Sequence, residues 1–200
     1  MNLKGILQKQ EMRKNGGKIT AISDANKVLD TTTIHEDGSW ELQVNEKPQT
    51  IIVQCKGACL AAVAVAPAEI NDIGLPKLST VSFELENYEK GIMLYADPVA
   101  LDGFPDRLID LLRIGKDDLV DLHVGEYSIN SKKISIKVQH GRHRFSIARI
   151  DFHLTDVDSR NIALGSVMDI ETGDIITAEN GQVILSITDD INYKLNVIVN

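Results

Sequence analysis

The sequence predicts an all-β protein made of two small antiparallel β-sandwich domains, the second with one short helix inserted. Three observations support this fold class. The last fifty residues alternate short apolar strands with turns that hold Asp, Asn or Gly, such as Asn180-Gly181. Similar alternation fills the N-terminal part of the chain. Hydrophobic residues make up 43% of the 200 residues but aromatic ones only 4%, so an aliphatic core is expected.

The domains are predicted to be 16–77 and 78–200, preceded by a polar leader at 1–15. The leader is polar and basic, and we expect it to be loose or to form a short helix that ends at its Asn-Gly-Gly breaker. A linker-like stretch at 67–76, which contains Pro, Asn and Gly, separates the domains.

In the first domain, alternating residues bounded by Asp, Asn and Gly turns predict four strands, at 18–22, 28–34, 40–44 and 50–54. Residues 60–65 are expected to run back along the last of these, although their Ala content also permits a helix. Cys55 and Cys59 flank a three-residue turn, so they either pair across the hairpin or remain two reduced thiols.

The second domain opens with a strand in which Val81, Phe83 and Leu85 form one apolar face. The strands of the last fifty residues are expected to complete the sheet that begins there. Residues 104–114 are the predicted helix, because Pro stands near the start, Asp in the first turn, Arg in the last turn and Gly after the end. Further strands are predicted at 92–96, 119–124, 126–129, 133–139 and 144–154.

Positive charge is concentrated between residues 128 and 150, where no acidic residue occurs in a chain of formal net charge −8. A hairpin turned at Gly141 would gather these charges into one basic patch. An acidic protein, a phosphate or an anionic glycan could bind it, whereas lysines that merely block edge pairing are the structural alternative. The candidate binding residues are Lys133, Lys137, His140, Arg142 and Arg144.

Three histidines close in sequence raise the question of a metal site. Together with a nearby carboxylate, His140, His143 and His153 could hold a divalent ion. However, a strand rise of about 3.3 Å per residue separates His143 from His153 by roughly 33 Å. We therefore interpret them as surface histidines and predict no metal, no cofactor and no catalytic residue. A metal-dependent hydrolase is the disfavoured enzymatic alternative.

Three segments carry a family resemblance. Gly17-Lys-Ile-Thr-Ala-Ile-Ser-Asp24 and Glu36-Asp37-Gly38-Ser39-Trp40-Glu41-Leu42 resemble the carboxypeptidase regulatory-like domain, and Tyr193-Lys-Leu-Asn-Val is similar to that superfamily and to the B-type repeats of collagen adhesins. These families share an immunoglobulin-like, transthyretin-like (prealbumin-like) sandwich. The resemblance implies that fold and no particular chemistry, because the fold carries adhesins, accessory modules and transport proteins alike.

The function predicted from the sequence is a non-catalytic binding or structural module for a protein or glycan partner, and whether that partner is anionic stays open. The acidic net charge argues against nucleic acid as a partner. The alternative is an effector or toxin-like protein that acts at a membrane or within a multi-protein particle. Membrane contact and homo-oligomers formed through strand edges stay open. The N-terminus has no apolar signal segment, which predicts cytoplasmic synthesis with signal-independent export as the open alternative.

Overall fold

The computed structural model describes residues 1–6, 17–25, 27–55, 59–64, 77–86, 91–104, 106, 108–109, 125–149 and 162–199. The chain forms two compact units. Unit 1 consists of Met1–Lys77 and Leu101–His123, and unit 2 consists of Leu78–Ala100 and Val124–Asn200. Strands dominate both units, so the predicted all-β class is confirmed. Among the described residues, no helix is long and apolar enough to span a membrane.

Unit 1 is a small sandwich of a two-stranded and a four-stranded antiparallel sheet. Its strands are β1 (Asn2–Ile6), β2 (Lys18–Ile22), β3 (Val28–Thr33), β4 (Ser39–Gln43), β5 (Thr50–Cys55) and β6 (Cys59–Ala64). β1 pairs with β4, and the larger sheet has the order β3-β2-β5-β6. The core between the sheets is mainly aliphatic around one tryptophan, and it contains Ile19, Ala21, Ile34, Trp40, Leu42, Val44, Ile51 and Val53.

The other face of the four-stranded sheet is also buried. Ile22 and Ile52 point away from the first core and pack with Leu101, Phe104, Leu108 and Ile109. Asp106, Leu108 and Ile109 have helical backbone, as the sequence predicts, while the rest of the predicted helix at 104–114 lies outside the described residues. The placement of this helix in the C-terminal domain is wrong, because its apolar residues cover the sheet of unit 1.

The N-terminal leader is a second correction. Asn2–Ile6 is not a loose or helical segment but strand β1, paired in antiparallel register with β4 from Asn2↔Gln43 to Ile6↔Ser39. The charged N-terminal amine donates a hydrogen bond to the carbonyl oxygen of Val44 at 2.6 Å. Pairing with the distant strand β4 therefore makes this segment a strand, although its own sequence shows no clear alternation. Residues 7–15 of the predicted leader lie outside the description.

The hairpin between β5 and β6 matches the predicted return strand. β6 runs antiparallel to β5, and the Cα atoms of Cys55 and Cys59 are register partners. The turn between them, 56–58, lies outside the described residues. The choice of strand over helix for this Ala-rich segment is settled by its pairing with β5, since Ala content alone permits both.

Unit 2 is a larger sandwich of a five-stranded and a four-stranded sheet. The orders are β10-β7-β15-β12-β13 and β14-β11-β8-β9, and all described pairings are antiparallel except the parallel pair β15–β7. The strands are β7 (Leu78–Leu85), β8 (Ile92–Leu101), β9 (Gly125–Ile129), β10 (Lys133–Gln139), β11 (Gly141–Arg149), β12 (Ile162–Asp169), β13 (Ile175–Thr177), β14 (Gln182–Ile187) and β15 (Ile191–Val199).

The core of unit 2 draws on both sheets. Phe83 of β7 packs edge to face on Phe145 of β11, with ring centroids 5.3 Å apart, and stacks on Tyr193 of β15 at 5.9 Å. Aliphatic side chains surround these three rings. As predicted, the closing strands complete the sheet begun at Val81, because β15 pairs with β7 and β12 pairs with β15.

The connection from β10 to β11 differs from the prediction. β10 pairs with β7 in the five-stranded sheet, whereas β11 pairs with β14 in the four-stranded sheet. The two strands therefore do not form a hairpin: the chain crosses from one sheet of the sandwich to the other at His140 and Gly141. Gly141 has a backbone φ of 136°, which residues with a Cβ atom rarely adopt. This conformation lets the chain pass directly from one sheet to the other.

Candidate functional site

The predicted basic patch is divided between two surfaces of unit 2. On β10, Lys133, Ser135 and Lys137 are exposed and alternate with residues that face the core. On β11, Arg142 is exposed and Arg144 partly so, and they flank the buried His143. Because the inward residues of both strands belong to one core, the outward residues of the two strands lie on the outer faces of different sheets. A single basic patch formed by a hairpin is therefore wrong.

The outer face of the five-stranded sheet carries a row of paired charges. Lys133 Nζ lies 3.1 Å from Glu84 Oε2 and Lys132 Nζ lies 3.7 Å from Glu84 Oε1, while Lys194 Nζ lies 2.8 Å from Glu86 Oε1. The hydrogen bond from Lys133 lowers the pKa of Glu84, and the bond to Glu86 raises the pKa of Lys194. Much of the positive charge here is thus already compensated.

Lys137, on the same face, has a different environment. It lies opposite Thr80 of β7 and forms no ion pair with a residue in the described part of the chain. It is therefore a cation of this face that remains available to an outside carboxylate.

The outer face of the four-stranded sheet combines arginines with exposed aliphatic side chains. Arg144 Nη1 lies 3.3 Å from Asp97 Oδ2, which fixes one guanidinium, while Arg142 lies in register with Ser186 and is exposed. Ile184, opposite Arg144, is 50% exposed. A cavity of about 420 Å³ opens beside them and is lined by Arg144, Ile176, Thr177, Glu179, Asn180, Gln182, Val183 and Ile184.

A tight turn positions this cavity. Glu179 and Gln182 exchange two backbone hydrogen bonds of 2.9 and 3.0 Å, and the two residues between them, Asn180 and Gly181, have φ 52° and 74°. Positive φ at both central positions is typical of the two-residue turns that Asn-Gly favours. The turn links β13, at one end of the five-stranded sheet, to β14, at one end of the four-stranded sheet. The cavity therefore lies where the ends of the two sheets meet.

The histidines are structural contacts at the sheet crossing. His140 Nε2 and Ser79 Oγ are 2.7 Å apart in a hydrogen bond. His143 is 3% exposed, so its interpretation as a surface residue is wrong. Its Nε2 donates to the Gln139 carbonyl oxygen at 2.7 Å, and burial lowers its pKa. His153 lies outside the described residues, among which no group of three metal-ligating side chains occurs.

Unit 1 contains a second cavity that the sequence did not indicate. It measures about 710 Å³ and is lined by Lys4, Gly5, Ile6, His35, Ser39, Trp40 and Glu41. Trp40 is only 2% exposed, so its ring packs in the core and offers little surface to a ligand. We assign no role to this cavity.

The exposed isoleucines of unit 2 are functional candidates that sequence reasoning missed. Ile176 and Ile184 are 42% and 50% exposed, and Ile175, beside them on β13, is 65% exposed. The sequence contained one indication of an exposed isoleucine. Ile184 lies between Val183 and Leu185, which face the core, so alternation along the strand points Ile184 outward. In a continuous apolar run, however, the buried phase cannot be recognised before the pairing partner is known.

No protein-family model matches the chain, and no curated protein matches it. Among solved structures, it is similar to the major pilin protein (T-13) from Streptococcus pyogenes serotype GAS131465, with a TM-score of 0.32 and 13% identity over 98% of this chain and 95% of that chain. A similarity at this level carries no argument about function. Membership in the carboxypeptidase regulatory-like or transthyretin-like families stays a prediction, while the sandwich fold that the resemblance implies is described above.

Proposed function

We propose that the chain is a non-catalytic binding module whose second unit recognises an acidic segment of a protein partner. One observation carries the proposal: Arg144, Ile176 and Ile184 line a cavity of about 420 Å³, and Arg142 points outward from the same face of β11, two residues before Arg144. We call this group of four side chains the arginine–isoleucine surface.

The arginines give the surface its charge preference. They lie two residues apart on β11, so their Cα atoms are about 6.6 Å apart and their side chains point the same way. Carboxylates at alternate positions of an extended segment have a matching spacing. Asp97 holds Arg144 at 3.3 Å, which reduces the conformational entropy that this side chain would lose on binding but also compensates part of its charge. Arg142, which forms no ion pair with a described residue, therefore supplies most of the charge preference. Because the chain as a whole has a formal net charge of −8, an acidic partner is attracted only near local groups of cations, and this surface is one of them.

The isoleucines favour a protein over a glycan. Covering exposed aliphatic surface contributes about 25 cal/mol for each Å² removed from water. An extended protein segment with apolar side chains can provide that cover, whereas a glycan presents mostly hydroxyl groups. Three aromatic rings of unit 2, Phe83, Phe145 and Tyr193, pack in its core and are not available to a sugar ring, while Tyr95 and Tyr127 are partly buried.

Selection from a random peptide-display library tests the proposal without a known partner. We expect the 200-residue chain to enrich peptides that combine Asp or Glu with aliphatic residues, and their affinity to fall as salt is raised. The double variant Arg142→Glu/Arg144→Glu is expected to lose about tenfold or more in affinity. The matched control is Lys27→Glu/Lys47→Glu, which makes the same charge change at two exposed positions of unit 1.

Two results would overturn the proposal. One is a selection that enriches no acidic peptide. The other is an equal loss of affinity in both double variants. That result would mean that net charge alone determines binding and that the arginine–isoleucine surface has no specific role.

A further inference from the structure

The free side of β10 is distinct from the arginine–isoleucine surface, because β10 and β11 belong to different sheets. β10 forms one end of the five-stranded sheet and pairs with β7 over all of its seven residues. On its other side, no strand in the described part of the chain is hydrogen-bonded to it. β13, at the opposite end of the same sheet, has only three residues. β10 is therefore the longer of the two edge strands of this sheet.

The direction of the backbone groups of β10 follows from its pairing. The Leu85 N–H donates to the Lys132 carbonyl oxygen at 2.9 Å, so the backbone groups of Lys132 point to β7. Because these groups alternate sides along a strand, those of Ile134 and Ile136 also point to β7, and those of Lys133, Ser135 and Lys137 point to the free side.

Two hydrogen bonds agree with this assignment. They involve the first and last carbonyl oxygens on the free side of β10. The Lys133 carbonyl oxygen accepts from Ser131 Oγ, and the Gln139 carbonyl oxygen accepts from His143 Nε2. Both carbonyls lie on the free side of the strand. Between these two capped positions, the N–H and C=O groups of Ser135 and Lys137 present the hydrogen-bonding pattern of an open sheet edge.

The outward side chains define which strand would fit. The outward side chains of β10 are those of Lys133, Ser135 and Lys137. The residues of β7 that lie opposite them show which side chains pair with this row. Glu84 lies opposite Lys133 in an ion pair of 3.1 Å, and Ser82 lies opposite Ser135 with the two Oγ atoms 2.8 Å apart. A strand added to the free side meets the same three side chains. The complementary outer row has an acidic residue opposite Lys137, which forms no ion pair with a described residue, and a polar residue opposite Ser135. An acidic residue opposite Lys133 would share that lysine with Glu84.

A second copy of this chain does not meet that requirement. If two β10 strands paired antiparallel about Ser135, each Lys133 would lie opposite the other copy's Lys137. Like charges directly opposite each other destabilise a strand pair, and lysines on end strands are a common protection against self-association. Self-pairing through this edge, which the sequence left open, is therefore disfavoured.

We propose that β10 accepts an acidic β-strand of a partner protein as a sixth strand of the sheet. The pattern is Glu-Val-Thr-Val-Glu, in which the acidic residues lie opposite Lys133 and Lys137. The two Val side chains lie on the inner side of the sheet, beside Ile134 and Ile136. Backbone hydrogen bonds along the edge supply affinity, and the lysines select the charge of the partner.

The test uses a labelled, end-blocked peptide that contains this pattern and the 200-residue chain with Arg142→Glu/Arg144→Glu, so that the arginine–isoleucine surface does not contribute. Fluorescence anisotropy at low salt is expected to show binding, and weaker binding of the same peptide with Lys in place of Glu. Lys137→Glu, which breaks no ion pair with a described residue, is expected to weaken binding about threefold to tenfold.

Ser135→Pro separates strand addition from simple charge attraction. Proline removes the N–H that points to the free side and leaves the bonds to β7 in place. We expect an affinity loss of about tenfold, while Ser135→Ala, which removes only the hydroxyl, stays within about twofold. A second measurement does not depend on the folding of the Pro variant: peptide binding should slow hydrogen exchange at the Ser135 and Lys137 amides.

The proposal is overturned if Ser135→Pro binds as Ser135→Ala does, if both peptides bind equally, if no binding occurs, or if those amides are not protected. The test protein carries Glu in place of Arg142 and Arg144, so its arginine–isoleucine surface does not bind. Each of these outcomes therefore leaves the proposed function of that surface unaffected.

Discussion

His143 occupies a core position with a titratable side chain. It lies on the inward side of β11, one position from Phe145 in the inward row, with its ring centroid 6.1 Å from that ring. Since a carbonyl oxygen only accepts, the bond to Gln139 places the proton on Nε2. Nδ1 is then a buried acceptor that has no hydrogen-bond partner in the described structure. Protonation there would place a positive charge in an apolar core, with Asp97 as the nearby negative group that partly offsets the cost.

A pH dependence of stability follows. Burial holds the pKa of His143 below its ordinary value of 6.5, so the unfolded chain binds a proton that the folded chain does not. The free energy of unfolding should therefore decrease as the pH falls below about 6.5. We expect His143→Phe to reduce this slope between about pH 7.5 and 5.5, measured by urea denaturation. His35→Phe, which removes an exposed imidazole of unit 1, is the control; an unchanged slope in His143→Phe contradicts the prediction.

Ile184 tests the apolar part of the arginine–isoleucine surface. Ile184→Ser is expected to change the free energy of unfolding by less than about 0.5 kcal/mol, because the side chain is half exposed. Affinity for a selected acidic peptide should fall about threefold to tenfold, measured by anisotropy titration. Ile198→Ser, which removes another exposed isoleucine on β15, is the control and should bind as the wild type does.

At the scale of elements, local alternation was sufficient for some strands. The predicted bounds of β2 and β10 agree with the structure, because apolar and polar residues alternate between clear turns. Alternation does not reveal which strand is the neighbour. β10 and β11 follow one another with only His140 between them, and that adjacency suggested a hairpin. Their true partners, β7 and β14, are distant in sequence. The division of the basic residues between two faces could therefore not be predicted.

Gly141 makes the sheet crossing possible, and its substitution tests that role. A Cβ atom at φ 136° forces a sparsely populated backbone conformation, which costs about 1 to 3 kcal/mol. Gly141→Ala should lower the free energy of unfolding by that amount in chemical denaturation. Gly173→Ala, at φ 78° in a turn with open space around its Cα, is a comparison that strains the backbone without affecting the crossing. A Gly141→Ala protein of wild-type stability would contradict the crossing geometry.

At the scale of the whole molecule, each unit has its own core. The residues 101–109 return to unit 1 in the middle of the second predicted domain, so the units are not continuous in sequence. Composition and strand pattern indicated two sandwiches, but they could not show this return. A helix with one apolar face fits any exposed sheet of suitable size, and only the tertiary structure shows that Ile22 and Ile52 provide it.

The single tryptophan of the chain gives a separate signal for unit 1, since Trp40 is buried in its core. Phe145→Ala leaves a cavity in the core of unit 2 and should cost that unit about 3 to 5 kcal/mol. We expect the loss of β-sheet circular dichroism to begin at lower urea concentration than in the wild type, while the midpoint of Trp40 fluorescence changes less. Equal shifts of both signals would contradict separate cores.

The central claim is that unit 2 binds acidic protein segments through its arginine–isoleucine surface. The most direct measurement is the affinity of a selected acidic peptide for three proteins at two salt concentrations: wild type, Arg142→Glu/Arg144→Glu, and Lys27→Glu/Lys47→Glu. The account predicts salt-sensitive binding by the wild type and the Lys27/Lys47 variant, with a loss of about tenfold or more confined to the Arg142/Arg144 variant. Equal affinity of all three proteins would contradict it.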